Sequence, residues 1–158
     1  MEINKTKKLF EITQKLEYYC SYQERCHAEV LEKLYSFDTT SDEKDEVIVH
    51  LIQENLLNEE RFVLIYTISK LHQKKWGKIR IKQELKAKKI GTFLIQTALK
   101  SLNDEEYRTT FELLAEKQWE IVAEKNKLKK RKKVSDFLLR KGWESDWIYT
   151  KVKELELG

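Results

Sequence analysis

The sequence predicts an all-α protein, and three observations support this fold class. The 158 residues include no proline and only four glycines, so few residues interrupt a helix. Charged residues make up 37% of the chain and hydrophobic residues 41%, which is typical of helices with long polar faces. Apolar residues also recur at spacings of three and four, the period of an amphipathic helix. The 11% aromatic content excludes a disordered chain.

Apolar spacing and capping residues predict four helices in the first half of the chain. The first is expected over about residues 5–20, where leucine, isoleucine and tyrosine repeat at helical spacing. Ser21 and Glu24 form an S-x-x-E capping box, which predicts that a second helix begins at this point. A third helix is predicted to open at Ser41, and Asn58 is predicted to cap the fourth.

Five further helices are predicted in the second half. Gly77 precedes a strongly basic fifth helix, and Gly91 separates this helix from the sixth. Asn103 is predicted to cap the seventh helix, because a glutamate follows it three residues later. The basic run 125–133 leads into the eighth helix, which Gly142 ends before the ninth begins.

The nine predicted helices fall into three similar triplets. A shift of about 53 positions places Ile81 on Val134, and further apolar pairs follow in the same order. We therefore expect three tandem three-helix repeats, at residues 1–57, 58–102 and 103–158. Stacked repeats of this size predict an elongated, curved molecule that presents a long surface rather than a pocket.

Charge is distributed unevenly along the chain, although the net charge is only +4. Residues 42–60 hold seven acids against Lys44 alone, whereas residues 125–133 hold seven bases and no acid. Between Lys74 and Lys89 every charge except that of Glu84 is positive. A basic face beside a buried apolar stripe suits a polyanion, but a solvated helix face explains the same charges. Charge alone leaves both interpretations open.

The sequence carries no pattern of a catalytic or metal site. It contains no phosphate loop, dinucleotide fingerprint, nucleophile elbow or kinase signature. His27, His50 and His72 are scattered, and no second Cys/His pair lies at zinc spacing. We therefore expect a protein that binds no metal or cofactor and is not an enzyme. Cys20 and Cys26 are expected to be free thiols in a reducing compartment. The absence of a long apolar run predicts a soluble, cytoplasmic protein with no membrane contact.

Two tryptophans flank glycines at predicted helix junctions, Trp76 and Trp143. Both could stack on nucleic-acid bases, although wedging between helices is the more common role for such a residue. The other aromatics at helical spacing are predicted to be core residues: Phe62, Tyr66, Tyr107, Phe111, Phe137 and Trp147.

Three motifs follow one another in order along the chain. Residues 58–62 read N-E-E-R-F, residues 76–90 read W-G-K-I-R-I-K-Q-E-L-K-A-K-K-I, and residues 137–143 read F-L-L-R-K-G-W. They resemble, in the same order, the D-D-x-R-F-A element, the G-x-x-R-I-x-x-E-L-x-x-K-G-I signature and the F-L-x-x-R/K-G-F pattern of RecX, the bacterial regulator of the RecA recombinase. The resemblance covers about residues 9–155. The motif residues, for which we expect structural roles, are Arg61, Phe62, Gly77, Ile81, Glu84, Leu85, Ile90, Phe137, Leu138, Gly142 and Trp143.

The chain departs from the family pattern at a few positions. Asn58 replaces the first aspartate of the acidic pair, and Val63 replaces the usual alanine. Lys89 stands where the family usually has glycine before Ile90. This position is therefore expected to need a left-handed backbone, or the helix ends differently there.

The resemblance implies a non-enzymatic regulator. RecX proteins bind RecA and its filament on single-stranded DNA, lie along the filament groove, and inhibit strand exchange, ATP turnover and coprotease activity. The resemblance thus implies a role in recombination, DNA repair and the SOS response. The implied partners of this monomer are RecA and single- or double-stranded DNA. The candidate nucleic-acid or filament contacts are Lys78, Arg80, Lys82, Lys86, Lys88, Lys89, Lys129, Lys130, Arg131, Lys132 and Lys133.

Two alternatives stay open beside the RecA regulator. One is a helical-repeat DNA-binding protein that acts without RecA, and the other is a helical scaffold that binds only protein. Inhibition of RecA at saturating DNA separates the first from the regulator. Failure to bind any nucleic acid at low salt would favour the scaffold, in which the lysines only keep the chain soluble.

Overall fold

The structure, a computed structural model, describes residues 2–158. These residues form nine α-helices and one π-helical turn and contain no strand, so the predicted all-α class is confirmed. Within this range, no helix combines the length and the apolar character that a membrane span requires. The helices are α1 (Glu2–Tyr22), α2 (His27–Tyr35), α3 (Ser41–Gln53), α4 (Glu59–Ser69), the π-helical turn (Lys70–Lys74), α5 (Lys78–Ala87), α6 (Thr92–Lys100), α7 (Asp104–Ile121), α8 (Lys127–Arg140) and α9 (Ser145–Leu157).

The predicted capping box at Ser21 is wrong, because α1 continues through this residue. The Ser21 hydroxyl donates to the carbonyl oxygen of Glu17 at 2.7 Å, within the helix. A serine bonded back to the preceding turn continues a helix instead of starting one. The second helix is capped five residues later, where the backbone N–H of Cys26 donates to the Glu29 carboxylate at 3.1 Å.

Two other predicted helix starts are confirmed. The side-chain oxygen of Asn58 accepts from the backbone N–H of Arg61 at 2.9 Å, and Asn103 accepts from Glu106 at the same distance. Each bond satisfies one of the backbone donors that a helix N-terminus leaves without an intrahelical partner. The expectation for Lys89 is also confirmed, since its φ of 62° lies in the left-handed region.

The chain divides into two compact units. The first comprises residues up to Ile65 and the segment Lys88–Ile90. Its core is built from α1, α2 and α3 and the turn before α4, and Tyr19 and Phe37 pack against this core. The buried core residues are Ile12, Leu16, Cys20, Val30, Leu34, Val47, Leu51 and Leu57.

The second unit comprises Tyr66–Ala87 and Gly91–Gly158 and has an aromatic centre. Trp143 is fully buried, and its ring centroid lies 4.7 Å from that of Tyr107 and 5.3 Å from that of Phe111. The wedging role predicted for Trp143 is therefore confirmed.

The predicted core aromatics divide into two groups by burial. Phe62, Tyr107 and Phe111 are buried, whereas the others on the list are half-buried. The boundaries of the three repeats at residues 57 and 102 stay a prediction.

Two motif glycines hold the second unit together by direct backbone contact. The N–H of Gly77 donates to the carbonyl of Lys141 at 2.8 Å, and the N–H of Ile79 donates to the carbonyl of Gly142 at 3.1 Å. A Cβ on Gly77 would lie 2.6 Å from the carbonyl carbon of Gly142, which is closer than real Cβ atoms approach. Gly142 has a φ of +92°, and a Cβ there would overlap the Arg80 backbone. Neither position can therefore carry a side chain without moving the backbone.

Gly77→Ala is expected to destabilise the second unit, because the new methyl group meets backbone that cannot rotate away. The cost should be roughly 1–3 kcal/mol, the usual range for overpacking a tight site. Gly91→Ala is the matched control, since the space around Gly91 is open to 4 Å and its φ is −68°. Urea unfolding followed by tryptophan fluorescence measures both. A Gly77→Ala midpoint equal to that of Gly91→Ala would contradict the contact.

The two thiols of the first unit are expected to be unreactive while the chain is folded. Burial raises the pKa of both Cys20 and Cys26 from 9.0 to about 11, so each stays protonated at pH 8. Because the folded-state pKa values are raised, their contribution to stability is complete below about pH 8.5 and is lost as pH rises towards about 11. Reaction with a disulfide reagent at pH 8 should be slow until urea unfolds the chain. Rapid labelling of the folded chain would contradict this burial.

Candidate nucleic-acid interface

Helix α5 separates a buried face from a basic face, as its spacing predicts. Ile81 and Leu85 are fully buried, whereas Lys82 and Lys86 are exposed. Neither of these lysines forms an ion pair with any residue in the range 2–158. Two uncompensated ammonium groups one helical turn apart are thus available to an anion.

Arg80 leaves this basic face and turns towards Trp76. Its guanidinium carbon lies 4.4 Å from the centroid of the Trp76 ring, and Lys70 Nζ lies 5.2 Å from the same centroid. Arg80 Nη1 also donates to the carbonyl of Arg140 at 3.1 Å, and its Nε lies 3.8 Å from Glu84. The half-buried tryptophan is therefore flanked by two cations that the fold holds in place.

Two side chains that follow α8 donate hydrogen bonds to carbonyl groups at the end of the π-helical turn. Lys141 Nζ donates to the carbonyl of Lys74 at 3.1 Å, and Trp143 Nε1 donates to the carbonyl of Lys75 at 3.0 Å. Lys75 has a φ of 57°, so the chain reverses sharply at this point. Burial lowers the pKa of Lys141, and the charges of Arg80 and Lys74 lower it further.

Burial is the larger cause of the lowered pKa of Lys141, and the nearby charges of Arg80 and Lys74 are the smaller one. The closeness of these three cations concentrates positive charge here, and such a concentration attracts anions. We call this group the junction cluster; it consists of Lys70, Lys74, Trp76, Arg80 and Lys141. Only Arg80 was among the predicted contacts. The signal that could have identified Lys141 was the basic residue before glycine in the third motif.

Tyr107 fixes the start of α5 and thereby the position of Lys78. The Tyr107 hydroxyl accepts from the backbone N–H of Lys78 at 2.8 Å and donates to Glu144 Oε1 at 2.7 Å. Burial raises the pKa of Tyr107, and the Glu144 carboxylate adds to the shift, so the hydroxyl stays a donor. Lys78 Nζ lies 4.7 Å from the Tyr107 ring centroid, so its ammonium group is held close to the buried ring.

The two lysines that follow α5 differ in their surroundings. Lys88 is half-buried, and its Nζ lies 3.9 Å from Glu29 Oε2. Lys89 is exposed at the left-handed position. Both lie in the segment Lys88–Ile90, which belongs to the first unit, whereas α5 belongs to the second.

Two bases of α8 are engaged with acids from neighbouring segments. Arg131 pairs with Glu156, whose Oε2 accepts from Arg131 Nε at 2.9 Å. Lys133 Nζ donates to Glu124 at 2.9 Å, and this bond holds the pKa of Glu124 below its usual range. Both positive charges are therefore compensated within the chain.

The other three predicted contacts of α8 differ in their partners: one has an acid, one an aromatic ring and one neither. Lys132 Nζ donates to Asp136 one turn further along at 2.9 Å, and Lys130 Nζ lies 4.5 Å from the Trp119 ring centroid. Lys129 is exposed and forms no ion pair within the described residues. The densest basic run of the sequence thus offers fewer free charges than its composition suggests.

The helical repeats and the basic surface define a class of protein, a helical-repeat protein with exposed cations beside aromatic rings. Residues 58–99 match the family model described as the second three-helix domain of RecX, and residues 104–152 match the third. The chain belongs to the RecX family.

Known RecX proteins are similar to this chain in sequence and in structure. The crystal structure of RecX from Lactobacillus salivarius aligns with a TM-score of 0.80 and 29% identity, covering 97% of this chain and 99% of that one. The regulatory protein RecX of Lactobacillus gasseri is 34% identical over 89 residues, which is 56% of this chain and 33% of that protein. That of Bacillus cereus is 25% identical over 138 residues, which is 87% and 51%. The chain spans about half or less of the length of these curated relatives.

Free charge on α5 is expected to contribute more to nucleic-acid binding than paired charge on α8. Lys82→Gln/Lys86→Gln should weaken binding of single-stranded DNA and lower the slope of log affinity against log salt by about 0.7 for each lost phosphate contact. Lys132→Gln/Lys133→Gln removes the same number of charges from ion-paired positions and is the matched control. Fluorescence anisotropy titrations at salt concentrations from roughly 25 to 200 mM give the affinity and the salt slope of each variant. Equal slopes for the two variants would remove the α5 face from the site.

Proposed function

We propose that this chain is a regulator that binds RecA and RecA filaments on single-stranded DNA and inhibits their recombinase, ATPase and coprotease activities. The observation that carries the proposal is the match of 58–99 and 104–152 to two consecutive RecX three-helix domains. The relatives that share these domains are named as regulatory proteins. The chain would act without catalysis, as a cytoplasmic monomer.

The charges of the second unit support contact with a polyanionic filament. Lys82 and Lys86 are exposed on α5 and have no acidic partner among residues 2–158, and the junction cluster adds Lys70 and Arg80 over Trp76. Lysines that neutralise phosphates release counterions, so such a surface gains affinity without reading sequence. Recognition of this kind suits a filament that contains single-stranded DNA.

The fixed backbone of the second unit supports inhibition rather than a loose electrostatic association. The Gly77–Gly142 contact and the Tyr107 hydrogen bonds hold the start of α5 against the turn before α9. Cations on a rigid scaffold lose little conformational entropy on binding, so more of the interaction energy is available to compete with filament contacts.

A DNA-binding protein that acts without RecA is the second candidate function. The observation that favours it is the placement of Lys70 and Arg80 over the Trp76 ring, which could hold nucleic acid without any protein partner. Under this alternative, RecA would be affected only through competition for DNA.

ATP hydrolysis by RecA on single-stranded DNA separates the two functions. The chain is expected to inhibit hydrolysis at or below a one-to-one ratio to RecA even when DNA is in excess, because it acts on the filament. RecA from the same organism should be used, with Lys82→Gln/Lys86→Gln as the variant and Lys132→Gln/Lys133→Gln as the control. If inhibition disappears as DNA is added, the protein acts by sequestering DNA, and the RecA-independent function is correct.

A further inference from the structure

The first unit carries a groove of about 840 Å³ along α1. None of the residues that line it belongs to α5 or α8. Its lining is mainly aromatic and basic, which is unusual for a surface that only faces water. Tyr19 and Phe37 form the floor; both are half-buried and pack against the core of the unit. The floor is therefore part of the fold and holds its shape without a ligand.

Three cations lie around this floor. The Arg25 guanidinium carbon is 3.7 Å from the Tyr19 ring centroid, and Arg25 Nε donates to the Tyr19 carbonyl at 3.0 Å. Lys33 Nζ lies 5.6 Å from the same ring, and Lys15 Nζ lies 5.4 Å from that of Phe37. None of the three forms an ion pair within the described residues.

Acidic groups near the groove are few. The only carboxylate in its lining is that of Glu11, so the lining carries net positive charge. Glu29 and Glu32 lie close enough to raise the pKa of Tyr19 together with its burial, and Arg25 opposes them. Glu29 is already engaged with Cys26 and Lys88.

Two tyrosines form the exposed wall of the groove. The side chains of Tyr18 and Tyr22 are 71% and 72% exposed, although each is a large ring on a helix that has a core to pack against. They lie one turn apart, with ring centroids 6.4 Å apart and planes inclined by 35°. The core of the unit makes no use of these rings, so their faces are available for stacking.

We infer that this groove is a further binding site for single-stranded nucleic acid. Bases stack on Tyr18 and Tyr22, and Lys15, Arg25 and Lys33 contact the phosphates that connect them. Aromatic rings alternating with unpaired cations match the two repeating parts of a single strand, the base face and the phosphate. A duplex keeps its base faces stacked on each other, and an acidic peptide would use the cations but not the rings. The site needs no RecA and is independent of the proposed function.

Binding of a labelled thymidine oligonucleotide to the full chain at low salt tests the site. Tyr18→Ala/Tyr22→Ala should weaken binding about fivefold or more, the effect of losing one stacked base. Tyr18→Phe/Tyr22→Phe should restore binding, because it keeps the rings and loses only the hydroxyls. Tyr149→Ala, at another exposed tyrosine of the second unit, is the matched control and should bind normally.

An abasic oligonucleotide of the same length isolates stacking from charge. It keeps the phosphates, so wild type and Tyr18→Ala/Tyr22→Ala should bind it equally. In the Lys82→Gln/Lys86→Gln background, the alanine substitutions should cause the same fold loss as in the wild type, which distinguishes this groove from the α5 face.

Three results would overturn the inference: no measurable binding by the wild type, equal affinity of wild type and Tyr18→Ala/Tyr22→Ala for the thymidine oligonucleotide, or the same loss on the abasic strand.

Discussion

The second unit depends on the contact between the backbones of Gly77 and Gly142. Two hydrogen bonds join these segments, and a side chain on either glycine would separate them. The contact directs Trp143 into the aromatic centre of the unit and lets its indole N–H reach the carbonyl of Lys75. A close backbone approach of this kind can be made only by glycine, so two motifs far apart in the sequence are constrained by one physical requirement.

The same contact produces the junction cluster. Arg80 follows Ile79, whose N–H donates to the Gly142 carbonyl, and Lys141 immediately precedes Gly142. The glycine contact therefore brings the charges of Arg80 and Lys141 close together. Like charges repel, and the lowered pKa of Lys141 reflects this repulsion together with burial. The fold tolerates the repulsion because carbonyl oxygens accept from both side chains. Charge held together in this way is stabilised further by an anion, and this favours a binding role over a structural one.

The sequence predicted the local features and missed those that depend on tertiary contacts. Asn58 and Asn103 were identified as caps because the capping bond lies within four residues. Ser21 satisfied the same pattern, but its hydroxyl bonds backwards into α1, and the pattern contains nothing that distinguishes the two. The contact between Gly77 and Gly142 is made by backbone atoms of distant segments. The side-chain pattern therefore does not show which glycine contacts which. The groove along α1 was missed because it combines Tyr19 on the apolar stripe of that helix, two exposed tyrosines beside the stripe, and Phe37 from beyond α2.

We expect the pairing of each cation, as well as the number of cations, to determine how strongly a basic stretch binds a polyanion. Helix α8 carries the densest run, yet Arg131, Lys132 and Lys133 each have an acidic partner. Exposed ion pairs of this kind are weak, so a phosphate can compete with these carboxylates, but each carboxylate reduces the net positive charge that α8 presents. Helix α5 has fewer charges, but its exposed lysines exchange only water and counterions for phosphate. Carboxylates that pair with the bases of a helix can thus reduce the positive potential of its surface without changing the fold.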